Sequence, residues 1–102
     1  MMAFRGNYDY SEMNKVEKYL IEKKIRYRRA AFRDGEQITV FDESGQQAWD
    51  IVINMISYGH EENLLEAYGE ALIGHDDVEG WLTAENVISF IETGKRGDPD
   101  EE

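Results

Sequence analysis

Residues 25–55, IRYRRAAFRDGEQITVFDESGQQAWDIVINM, decide how this chain folds. The stretch reads as three β-strands separated by two turns: IRYRRAAFR, DG, EQITVF, DESG, then QQAWDIVINM. Asp34-Gly35 supplies the positive φ of a tight hairpin, and Asp42-Glu43-Ser44-Gly45 fits a type I turn closed by a left-handed glycine. A two-residue loop at Asp34-Gly35 and a three-residue loop starting at Arg33 remain open, and they place the arginines on opposite faces. The third segment has a competing helical reading. Gln47, Asp50, Asn54 and Ser57 recur at helical spacing, and Ser44-x-x-Gln47 could be a capping box. Its β-branched residues and the turn leading into it favour a strand.

Outward from this core, both flanks read as helix. Helix 1 begins after Ser11 as N-cap and runs to about Lys24, with Met13, Val16 and Leu20 as its apolar stripe and Tyr19 on the border. Residues 1–10, with Phe4, Tyr8 and Tyr10, read as a loosely attached arm. Downstream of Ser57-Tyr58-Gly59, a second helix is expected over about 61–73 on the stripe Leu64, Leu65, Tyr68 and Leu72. Gly69 lies inside it and weakens it by up to about 1 kcal/mol relative to alanine, unless a close packing contact needs it. Thr83 is an N-cap, and Leu82 before it can staple onto Val87. Helix 3 then buries Val87, Ile88 and Ile91, has Phe90 nearby, and stops at Gly94. The expected fold class is α+β. A three-stranded antiparallel β-meander has helices before and after it (order α-β-β-β-α-α) packed on one face, in one domain over 1–97, with 98–102 a disordered acidic tail.

Composition bounds the chemistry. A chain of 102 residues forms one domain with a modest core. It has no cysteine, which removes disulfides, thiolate metal sites and thiol catalysis. The uncharged run 51–59 is far shorter than the roughly 20 residues that cross a bilayer, and the N-terminus carries no apolar leader. A cytoplasmic protein without membrane contact is expected.

The net charge of −11 is unevenly placed. Residues 15–33 carry eight bases against Glu17 and Glu22, a net +6, whereas 34–94 contain fourteen acids and neither lysine nor arginine. The excess of acid disfavours direct nucleic-acid binding. Double-stranded-RNA-binding domains share the element order α-β-β-β-α, but here the helix that would face phosphates carries Glu61, Glu62, Glu66 and Glu70. Three of these, Glu62, Glu66 and Glu70, recur one helical turn apart, about 6 Å, close to the phosphate spacing of a nucleic-acid strand. This row, with Asp76, Asp77, Glu79 and Trp81, forms the candidate surface for a protein partner, as a nucleic-acid mimic or simply an acidic face. Arg26, Arg28, Arg29 and Arg33 form the opposite, basic patch. An alternative follows from the pair: a homo-oligomer in which the basic strand of one copy meets the acidic helix of another.

Catalytic chemistry finds little support, and no enzyme activity is expected. Ser11, Ser44 and Ser89 are accounted for by caps, turns or an exposed helix position, and there is no G-x-S-x-G. His75, Asp76, Asp77 and Glu79 read as a solvated acidic loop rather than a metal site, because they lack the spacing of a calcium loop or a His-x-x-x-His pair. His60, near the start of helix 2, reads as a surface or capping residue. The glycines are scattered as turns, with no phosphate-binding pattern, so no cofactor is expected. Trp49 belongs to the core. Trp81 reads as packed under helix 3, with an exposed interface position as the other reading.

The segments SYGHEENLLEAYGE and VEGWLTAENVISFIE resemble small acidic uncharacterised proteins of bacterial phages and other mobile elements. The resemblance covers about half the chain and carries no functional motif. It implies a small accessory protein that acts by binding, and it transfers no catalytic residue.

Overall fold

The computed structural model describes residues 8–97; the remainder of the expected arm and the acidic tail lie outside the described residues. Helix α1 spans Ser11–Glu22 and is followed by β1 (Tyr27–Phe32), β2 (Gly35–Phe41) and β3 (Gln47–Ile53). A 3-10 turn at His60–Glu62 leads into β4 (Leu65–Tyr68), the short α2 (Glu70–Ile73), β5 (Val78–Leu82) and α3 (Ala84–Thr93). The five strands pair in chain order, each antiparallel to the next. The α+β class and the meander stand, with five strands where three were expected.

Residues 47–53 are strand, and the alternation explains why: Trp49, Ile51 and Ile53 are buried while Asp50 and Val52 point to the other face. The DESG turn forms as expected. Gly45 takes φ 88°, its N–H donates to the Asp42 carbonyl at 3.0 Å, and Asp42 Oδ1 accepts from Ser44 N and Gln46 N. The first hairpin differs from its reading. Phe32 pairs with Gly35, so the two-residue loop is Arg33-Asp34, and the positive φ belongs to Arg33 at 57°. Gly35 is a strand residue kept small by crowding, because a Cβ on it would overlap the carbonyl oxygen of Ile53.

The helix expected over 61–73 is corrected. Leu65 and Ala67 are buried and alternate with Glu66 and Tyr68, which is strand periodicity. The segment is bounded by Asn63 at φ 60° and Gly69 at φ 133°, both incompatible with a continuing helix. Gly69 is required by a close approach, since an added Cβ would lie 2.7 Å from Trp49 Cα. With no helix through 62–70, the regular row Glu62, Glu66, Glu70 does not form.

The helices pack on one face of the sheet in a single core. Met13, Val16 and Leu20 from α1 and Val87 and Phe90 from α3 meet Ile38, Val40, Ile51, Ile53, Leu65 and Leu82. Each such aliphatic side chain contributes about 1.5–3 kcal/mol by leaving water. In α1 the N-cap position is Tyr10 rather than Ser11, and Asp9 Oδ1 accepts from Ser11 N and Oγ. The helix stops at Glu22, short of Lys24, which takes φ 59°. The Thr83 cap is present as a reciprocal pair. Thr83 Oγ1 accepts from Asn86 N at 3.1 Å while Thr83 N donates to Asn86 Oδ1 at 2.9 Å. In α3, Ala84, Asn86, Val87 and Phe90 are the buried residues, and Ile88 and Ile91 are only partly covered, so the helix is turned slightly from its expected face.

Residues 8–10 are anchored. The Tyr8 hydroxyl donates to Asp34 Oδ2 at 2.7 Å, and Asp9 N donates to Asn63 Oδ1 at 2.9 Å. Burial and the Asp34 carboxylate push the Tyr8 phenol up to about 12.

Candidate functional site on the helix-free face

Among the described residues all helices lie on one side of the sheet, and the other side carries none. Alternation along the strands brings Gln37, Asp50, Val52, Glu66 and Tyr68 to this face. The register sets Asp50 opposite Tyr68 and Val52 opposite Glu66. Asp50 and Glu66 are therefore diagonal neighbours on adjacent strands, within reach of one another. Phe32 and Arg33 close one end of a groove of about 250 Å³, and Asn54 and Ile56 rise from the loop after β3 to form another wall.

The groove holds two half-buried carboxylates. Burial pushes the Asp50 carboxyl above its ordinary range, partly offset by a 2.6 Å hydrogen bond that Gln37 Nε2 donates to its Oδ2. Burial also raises Glu66. The backbone N–H of Tyr58, 3.3 Å from Glu66 Oε2, opposes that shift, and the negative charge of Asp50 adds to it. Among the described residues neither carboxylate has a cationic partner. Arg33 lines the groove, yet its guanidinium lies 5.8 Å from the Phe32 ring centroid and among the described residues forms no ion pair.

Exposed apolar side chains rim the site. Ile56 is 62% exposed, Tyr68 51% and Phe32 40%. Beside them Tyr58 stacks on Trp81, with ring centroids 5.5 Å apart and planes 14° from parallel. The loop carrying Tyr58 is pressed onto β5, where a Cβ on Gly80 would overlap the Tyr58 side chain and Trp81 N donates to the Tyr58 carbonyl at 3.2 Å. Trp81 takes φ 54° at this bulge and is 49% exposed, so it is not packed beneath α3.

The acidic residues singled out by sequence are dispersed. Glu61 and Glu62 are exposed on the 3-10 turn, Glu70 opens α2, and Asp76 and Asp77 are exposed before β5. Glu79 is engaged internally, 3.0 Å from His75 Nε2 and 3.3 Å from Arg96 Nη1. Of that set, Glu66 enters the groove and Trp81 stands at its edge. In the basic patch, Arg29 turns to the helix side and bridges Glu17 at 2.7 Å and Glu36 at 2.6 Å, while Arg26, Arg28 and Arg33 are exposed. Among the described residues no group of three or more His, Asp or Glu side chains is arranged to hold a metal ion.

Sequence reading missed Asp50, Gln37, Phe32 and Ile56 as site residues. The available signal was Asp50 itself, a charge set within the apolar run AWDIVI.

Chemically, the groove can accept hydrogen-bond donors and above all a cation, which would relieve two desolvated negative charges. Its lining has no serine, cysteine, histidine or lysine. Among the described residues no helix is long and apolar enough to cross a membrane. No protein-family profile, curated protein or solved structure matches the chain.

Proposed function

We propose that the protein is a non-enzymatic binding module whose helix-free sheet face docks a basic segment of a partner protein, with one lysine or arginine side chain entering the groove. The observation that carries this reading is the Asp50–Glu66 pair: two half-buried carboxylates on one face that have no ion-pair partner among the described residues. A buried charge without a partner costs stability, and a fold retains it more readily where a ligand supplies the missing charge. Phe32, Ile56 and Tyr68 beside the carboxylates add exposed apolar and aromatic contact area of the kind that interfaces are enriched in. A net charge of −11 favours encounter with a basic partner over an acidic one. Arg33 at one end of the groove disfavours a second cation there, so the partner's charge is directed toward Glu66. Nucleic-acid mimicry loses its support, since the carboxylates do not form an evenly spaced row.

The test is a titration followed by backbone NMR, using a peptide that alternates arginine and valine as probe and a serine–valine peptide as control. Shifts at Gln37, Val52, Ile56 and Tyr68 with the arginine peptide, lost in Asp50→Asn/Glu66→Gln, are expected. Equal binding by that double variant, or shifts confined to residues 76–79, would overturn the proposal.

A further inference from the structure

The two outer strands of the sheet are finished differently. β5 is five residues long, is bulged opposite β4, takes a positive φ at Trp81, and has the Trp81 carbonyl occupied by Arg96 Nη2 at 2.8 Å. These features blunt a sheet edge. β1 has none of them. It is six residues long, pairs with β2 without a bulge, and among the described residues has β2 as its one neighbour.

The direction of its backbone groups follows from the hairpin. A two-residue loop makes Phe32 and Gly35 a hydrogen-bonded pair, so Arg28, Ala30 and Phe32 direct their N–H and C=O groups to β2. The 3.0 Å bond from Phe41 N to the Arg26 carbonyl continues this alternation. Tyr27, Arg29 and Ala31 therefore direct theirs outward, along an edge where Ala30 and Ala31 carry only methyl side chains. On the helix-free side of this strand stands Arg28; Lys24 and Arg26 precede it, Arg26 reaching toward Gly45 in a groove shared with Asp42 and Glu43, and all three are exposed and, among the described residues, without an ion-pair partner. This is notable in a chain with 22 acids and 11 bases.

We infer that the β1 edge is a second docking surface, which adds an extended acidic segment of a different protein as a sixth strand. The outward amides supply the main-chain bonds, and Arg28 on the strand, with Lys24 and Arg26 at its start, selects for carboxylates. Charge decides the occupant. A second copy pairing β1 to β1 would set arginine strips against each other, and pairing β1 to β5 meets an edge already blunted. A long nucleic-acid strand would meet the acidic remainder of the surface. The inference is independent of the groove on the sheet face.

The probe is a fluorescein-labelled eight-residue peptide alternating glutamate and valine, read by anisotropy and by amide hydrogen exchange. Binding that slows exchange at Tyr27, Arg29 and Ala31 is the expected result, with Arg28 and Ala30 already protected by β2. Ala31→Pro removes one outward N–H at an edge position that tolerates proline, and should weaken binding at least about tenfold. Arg26→Glu/Arg28→Glu should do the same and gain affinity for a lysine–valine peptide. Asp50→Asn/Glu66→Gln should leave binding of the acidic peptide unchanged, separating this edge from the groove. Undiminished binding by Ala31→Pro would reduce the edge to a diffuse basic surface and overturn the inference. Absence of binding would do so too, leaving the cations as a guard against strand pairing. So would a salt-sensitive homodimer that protects the same amides without peptide.

Discussion

Gln37 Nε2 donates a 2.6 Å hydrogen bond to Asp50 Oδ2 across adjacent strands, and this amide is the bonding partner of a carboxylate that burial holds above its ordinary pKa. The folded state thus binds the Asp50 proton more tightly than the unfolded chain does. Its stabilising effect is full below the unfolded value, near 3.8, and is lost as pH rises through the folded one. Asp50→Asn keeps an acceptor for Gln37 and removes the charge. Thermal unfolding should show the variant more stable than the parent at pH 7, with the difference shrinking toward pH 4, while binding of the arginine peptide is lost.

Arg33 supplies a like charge at the mouth of the proposed site. Removing it with Arg33→Gln should strengthen binding of an arginine–valine peptide by about twofold, the ~0.5 kcal/mol expected of an exposed charge. Calorimetry at low salt would detect this gain, and the effect should fade at 0.5 M salt as screening shortens the reach of the charge.

Gly35 separates two explanations of the first hairpin. If its role were a positive φ in the turn, replacement by alanine would cost about 1 kcal/mol. The fold instead places its Cα against the Ile53 carbonyl, with Arg33 holding the positive φ. Gly35→Ala should then cost about 3 kcal/mol or more because β2 and β3 must separate, whereas Arg33→Gly should stabilise by up to about 1 kcal/mol. Urea denaturation distinguishes the two.

Arg29 ties α1 to the sheet through Glu17 and Glu36, with a 2.8 Å hydrogen bond to Asn14 Oδ1. Burial opposes its charge, but the two carboxylates outweigh that effect and raise its pKa. Arg29→Met should cost about 2 kcal/mol, between the values for exposed and fully buried pairs. Lysine should recover less than half, lacking the planar fork that reaches several acceptors. A hydrogen bond from Tyr27, with Arg29 adding to it, holds Glu17 below its ordinary range. The parent's advantage over Arg29→Met should therefore be complete at neutral pH and decline as pH falls through the lowered Glu17 value, as acid denaturation curves would show.

Local chemistry made much of this protein legible in its sequence. The Asp42–Gly45 turn, the Met13–Val16–Leu20 stripe and the Thr83 cap depend on residues within a few positions of one another, and each formed with its expected partners or burial. The β-branched run at 47–53 carried its own strand period. Tertiary structure decided the rest. Leu64, Leu65, Tyr68 and Leu72 match a helical stripe as well as Leu65 and Ala67 match a strand. A four-residue strand is stabilised by hydrogen bonds to β3 and β5, which no local pattern encodes. The choice dissolved the acidic row, turned Glu66 toward Asp50, and left β1 as the unblunted edge. Asp50 and Glu66 lie sixteen positions apart in the chain, and only the β3–β4 register brings them to one groove. Sequence determined the charges and the punctuation of this chain; non-local strand pairing determined which of those charges meet.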